Sequence, residues 1–180
     1  MTFRFSRFPI LFLLLSLTMH PNSALCQSDL SAAERVAKEY MTAFFHGDFE
    51  RAAKLTHPDT LATLKQNFLI QLEQAQRGGR QSELLKEIGV KEDVRTLRNM
   101  SPQDLYVTLV RSNQERGTSD AMKSMSKTSV EVISSELLGT DQAAVRLRIK
   151  IPADDGVENR AGGLLLSRYK TYWRVSKNLE

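Results

Sequence analysis

The chain has 180 residues, 41% of them hydrophobic and 26% charged, with a formal net charge of +4, three histidines and a single cysteine. One cysteine excludes an internal disulfide framework, so cohesion has to come from a packed core. The small positive excess argues against nucleic acid as a partner, since its electrostatic capture needs a concentrated basic surface.

The first 26 residues have the parts of a secretory leader: Arg4 and Arg7, an apolar run from Phe8 to Met19, and a polar stretch ending in SALC. The run is shorter than the roughly 20 residues a membrane-spanning helix needs, so export with cleavage is expected and a transmembrane anchor is not. Ala24 and Cys26 occupy the small-residue positions of the cut. Acylation of Cys26 as a lipoprotein is the minority alternative, because Leu25 stands where a lipobox has a small residue. Removal of residues 1–26 takes away two basic residues and no acid, leaving 23 basic and 21 acidic residues in a mature chain of 154, a length suited to one domain over 27–180.

Helical signals fill the first half of that chain. SAAE at 31–34 reads as a capping box, Ser31 accepting a backbone N–H while Glu34 reaches back, ahead of the helical spacing of Val36, Ala37, Tyr40, Met41 and Phe44. Gly47 ends that helix, and Asp48 caps a short one, FERAAKL. A turn at Thr56-His57-Pro58 opens what reads as the longest helix, with a seam of Leu61, Leu64, Phe68, Leu72 and Ala75 ending at Gly78-Gly79. A shorter helix around Leu84, Leu85 and Ile88 stops at Gly89. SPQD at 101–104 starts another, capped by Ser101 and buried through Leu105, Tyr106, Leu109 and Val110.

Residues 113–127 read as a mobile polar connector, in which Met122 and Met125 are more simply loop residues than caps over a pocket. From Ser129 the period becomes two. SVEVISSELL and AVRLRIKI are successive antiparallel strands joined by Gly139-Thr140-Asp141, with Val145, Leu147, Ile149 and Ile151 on one face and Arg146, Arg148 and Lys150 on the other. After a polar loop, PADDGVENRA, come two more strands, GGLLLSRY and TYWRVSK. No internal repeat is visible. The expected fold is α+β, with N-terminal helices packed on a curved antiparallel sheet of about four strands.

On AFFHGDFERAAKL, SPQDLYVTLV, ELLGTDQAAVRLRI and LLLSRYKTYWRVSK, in that order over residues 30–177, the chain resembles the secreted nuclear-transport-factor-2-like (cystatin-like cone) domains. The resemblance implies a sheet wrapped around the helices with an apolar pocket between them, and a homodimer through the outer surface of the sheet. It does not fix function, since such cones include isomerases, dehydratases, polyketide cyclases, transport factors and non-catalytic dimerisation modules.

Cone-fold enzymes place an aspartate base in the pocket, often with a histidine or tyrosine, and no residue here matches that position. Glu131 and Glu136 are the acids within the first strands, and Glu131 is expected on the outer face beside Arg148 or Lys150. The repeated His-x-Asp, His46/Asp48 and His57/Asp59, would need ligands from two turns about 10 Å apart across FERAAKL, so helix-end roles are favoured over a metal site. No cofactor motif is present: Gly-Gly at 78 and at 162 lacks the Lys-Ser/Thr of a phosphate loop.

Pocket candidates are Tyr40, Phe44, Phe68, Tyr106 and Trp173, each also an ordinary core residue at its spacing, as is Tyr172. Arg146, Arg148 and Lys150, extended by Arg174 and Lys177, are candidates for an anionic partner or lipid headgroup on an otherwise solvated face. The leading reading is an exported, non-catalytic binding or assembly module holding a small apolar ligand. The alternative is a small-molecule isomerase or dehydratase of the same fold.

Overall fold

The computed structural model describes residues 21–117, 124–153 and 156–179, with side chains from 27 onward. Six helices precede four strands among these residues: α1 (Pro21–Phe45), α2 (Phe49–Leu55), α3 (Pro58–Arg77), α4 (Gln81–Ile88), α5 (Val94–Asn99), α6 (Pro102–Glu115), β1 (Ser129–Leu137), β2 (Gln142–Ala153), β3 (Gly156–Tyr169) and β4 (Tyr172–Leu179). The strands form one antiparallel sheet in the order β1-β2-β3-β4. The expected α+β fold is therefore the observed one. Residues 1–20, which hold most of the expected leader, and Met122 lie outside the described residues.

The helix boundaries follow local chemistry where the sequence punctuates them. Gly47 takes φ +77°, a left-handed conformation that suits a residue without a side chain, and so ends α1. The Arg51 N–H then donates to Asp48 Oδ1 at 3.1 Å and caps α2. At the next corner His57, rather than Asp59, is the N-cap: the Asp59 N–H donates to His57 Nδ1 at 3.3 Å, and Pro58 takes the first helical position. Asp59 sits within the first turn, where its charge suits the helix dipole. Ser101 caps α6 as its sequence predicts, accepting from the Asp104 N–H at 3.1 Å.

Several expectations change, among them the polar loop PADDGVENRA, whose residues 156–161 belong to β3. Ser31 and Glu34 form no capping box, because α1 continues through them from Pro21, and the Glu34 carboxylate instead accepts from the Ser135 hydroxyl on β1. That extension also makes α1, at 25 residues, longer than α3 at 20. A helix absent from the sequence reading, α5, is started by Asp93, which accepts from the Thr96 N–H at 2.9 Å. The connector is shorter than 113–127, since α6 runs on to Glu115 and residues 124–126 form a helical turn.

Two apolar clusters hold these elements. The larger joins α1, α2 and α6 to the sheet, with Ala33, Ala37, Tyr40, Ala52 and Tyr106 packed towards Val145, Leu147, Leu164, Leu166 and Trp173. Alanines along α1 let the helix axis approach the strands closely, and α1 touches all four of them. The smaller cluster lies among the helices, where Phe68, Leu72, Val90, Leu97 and Leu105 bring α3, α5 and α6 together. Thr56 and His57 close the outer edge of β4: Thr56 bridges Val175 in parallel, and the His57 N–H donates to Val175 O at 2.7 Å.

Candidate functional site

The register of the sheet assigns a face to every strand residue. Leu147 lies opposite Gly162, Val145 opposite Leu164 and Ala143 opposite Leu166, so these share the inner face with Val130, Ile149, Trp173 and Val175. All of them except Gly162 are buried. Gly162 interrupts the inner row of β3 where a leucine would continue it. A Cβ there would meet Ile149 Cδ1 at 3.4 Å.

Beside Gly162 a hollow of about 220 Å³ lies between α1 and the sheet. α1 contributes Tyr40, Met41 and Phe44, and the strands contribute Leu147, Gly162, Gly163, Leu164, Asn178 and Leu179. Its size compares with the roughly 150 Å³ apolar cavity that admits benzene in an engineered protein. Asn178 is the one amide of the lining, and no acid or histidine contributes to it.

The Tyr40 hydroxyl, behind this hollow, lies 3.2 Å from the Tyr106 hydroxyl of α6, a buried pair in which either oxygen can donate. Burial raises both phenols above the ordinary tyrosine range; the shared hydrogen bond opposes this at Tyr40, while at Tyr106 the neighbouring Tyr40 adds to it. Such a pair stays protonated at neutral pH. It supplies hydrogen bonds rather than a general base.

Of the five pocket candidates, only Tyr40 and Phe44 line the hollow, with Tyr106 immediately behind them. Phe68 belongs to the helical cluster and faces a separate, open groove of about 560 Å³ between α3 and α6, shared with Leu64, Leu109 and Arg116. Trp173 is 3% exposed within the larger core, its ring beneath the Arg168 guanidinium at 4.6 Å. Met125 lines a third hollow with Phe44, Phe49 and Val110. Met41, Leu147, Gly162 and Leu179 also line the hollow, although none of them was a pocket candidate from sequence. The signal available for them was the Gly-Gly that breaks an otherwise apolar strand.

The outer face of the sheet carries the basic row. Glu131 lies opposite Arg148 and accepts from Lys150 Nζ at 2.5 Å, with Arg148 4.0 Å away. The Lys150 hydrogen bond and the two cations hold the Glu131 carboxyl below its ordinary range. Two of the three anion candidates are thus shared with one acid. Arg146 faces Ser134 and Gly163 instead, with no carboxylate directly opposite. Arg174 lies over the Tyr172 ring at 5.6 Å and donates to Trp173 O at 3.2 Å, and Lys177 is exposed.

His46 follows the end of α1 and His57 opens α3, with α2 between them. Among the described residues no group of three or more His, Cys, Asp or Glu is placed to hold a metal ion. Nor is any described helix long and apolar enough to cross a membrane.

No family model and no curated protein matches the chain. Among solved structures, a putative calcium/calmodulin dependent protein kinase II association domain from Xanthomonas campestris aligns with 77% of this chain and 76% of its own, at 10% identity. The TM-score is 0.37, a coarse likeness of chain path.

Proposed function

We propose that this protein is an exported, non-catalytic binding and assembly module whose contact surface is the outer face of its sheet. The observation that carries the reading is the one-sidedness of the sheet: every buried strand residue lies on the inner face, while Glu131, Ser134, Arg146 and Tyr172 on the other face are exposed. Leu165 and Ala144 sit half-buried, opposite each other, at the middle of that outer face. A second copy laid there would bury them and pair Arg146 with a partner acid.

The hollow beside Gly162 is the proposed site for a small, mostly apolar molecule with one polar group for the Asn178 amide. Its lining of aliphatic and aromatic groups favours binding over the carboxylate chemistry of an isomerase or dehydratase. Export rests on the leader, and the mass of the N-terminal peptide from secreted material tests it.

Sedimentation analysis tests the assembly reading. The wild-type chain is expected to associate, and Leu165→Glu to lower its mass while leaving the circular dichroism spectrum intact. A Leu165→Glu chain that sediments like wild type would sink the sheet face as the contact surface.

A further inference from the structure

β3 is 14 residues long and β4 only 8. β4 pairs with Gly163 to Tyr169, whereas β2 pairs with β3 all the way out to Gly156. Residues 156–162 therefore have no strand partner on the β4 side among the described residues. β1 pairs with the other side of β2 as far as Lys150, so β3 residues 159–162 form the edge of a three-stranded sheet and only 156–158 run on as a two-stranded ribbon with β2 residues 151–153. β3 residues 156–161 are all exposed, Val157 at 60%. The open edge of β3 along this stretch offers alternate N–H and C=O groups as a template for another strand.

The other open edge differs. β1 carries a bulge between Val132 and Ser134, a device that blunts pairing, whereas the β2–β3 register runs without a shift from Ala153/Gly156 to Gln142/Ser167. The regular open edge is that of β3.

The sequence of that edge is Val157-Glu158-Asn159-Arg160-Ala161, and it is charge-complementary to itself when reversed. Antiparallel pairing about a two-fold axis through Asn159 sets Glu158 opposite Arg160 of the second copy, and Arg160 opposite its Glu158. Val157 then meets Ala161 on the opposite face, in both halves. Moving the axis by one residue either way places Arg160 against Arg160 or Glu158 against Glu158, which is destabilising. Within one chain Arg160 Nε already donates to Glu158 Oε1 at 2.7 Å, so both side chains lie on one face, ready to form an alternating ladder of four charges.

We infer that the free edge of β3 at residues 157–161 is a self-association site, where two copies of this chain pair antiparallel about Asn159 and join their sheets edge to edge. The contact is separate from the sheet face proposed above and does not depend on it.

Charge reversal tests it, by sedimentation equilibrium on the wild-type chain and in the Leu165→Glu background. Glu158→Arg makes all four ladder positions positive and is expected to weaken association roughly tenfold or more in both backgrounds. Glu158→Arg/Arg160→Glu recreates the complementary ladder with its signs exchanged and is expected to restore the parent mass. An unchanged mass for Glu158→Arg, or a double variant that stays as dissociated as the single one, would overturn the inference and leave the edge to a foreign strand. Failure of the sheet-face contact is read separately, from Leu165→Glu against wild type.

Discussion

Along the inner face of β3 the residues read Glu158, Arg160, Gly162, Leu164 and Leu166, and they pass from exposed charge to buried leucine across the glycine. The two halves of the β2–β3 hairpin share their ladder and their alternation but not their surroundings. Leu147, Leu164 and Leu166 are almost fully buried, while Arg160 and Glu158, four and six residues before Leu164, stand in solvent. Strand geometry alone does not bury a residue; what lies over the strand decides it. Gly162 sits at the boundary and lines the hollow.

The contrast can be broken most strongly in the covered half. Leu164→Ala removes a fully buried side chain and is expected to cost about 2–5 kcal/mol in urea unfolding, because α1 and the strands close only partly around the gap. At the boundary, Gly163→Ala would place a Cβ 3.0 Å from Leu179 Cβ, and a loss of about 1 kcal/mol or more is expected from the same measurement.

The cover of α1 over α6 is sharpened by pH. Folding raises the Tyr40 and Tyr106 phenols above their unfolded value of about 10, so the stabilisation is complete below that pH and is lost as pH rises past it toward the folded values. Unfolding free energy is expected to fall above about pH 10, and Tyr106→Phe to flatten that fall; an alkaline limb of unchanged slope would remove the pair from the account. In the bare half, Val157→Ala is expected to change the stability of the isolated chain by no more than about 0.5 kcal/mol. A larger loss would mean that something covers the ribbon.

The legible parts of the fold were those written in local chemistry. Gly47-Asp48 and His57-Pro58 mark helix corners through φ and capping, and AVRLRIKI declares its faces through a period of two, so Glu131 was expected beside Arg148 or Lys150; the register sets it opposite Arg148, and Lys150 supplies the hydrogen bond. Less legible were elements whose signal is set by distant contacts. GVENRA looks like a loop because its inner positions hold Glu158 and Arg160, yet it is strand, held by β2 rather than by a core. α5 has six residues and one buried side chain, Leu97, too few for a period to show. At the candidate site, Tyr40 and Phe44 were found from helical spacing, whereas Gly162 and Leu179 meet them only through the sheet register and the approach of α1.

The outer face of the sheet and the free edge of β3 are the two surfaces on which the proposed self-association rests. The most direct measurement is the solution mass of the wild-type chain by light scattering over a range of concentrations. A mass of at least two chains, falling toward one on dilution, is the predicted result, and a single-chain mass at every concentration would contradict it.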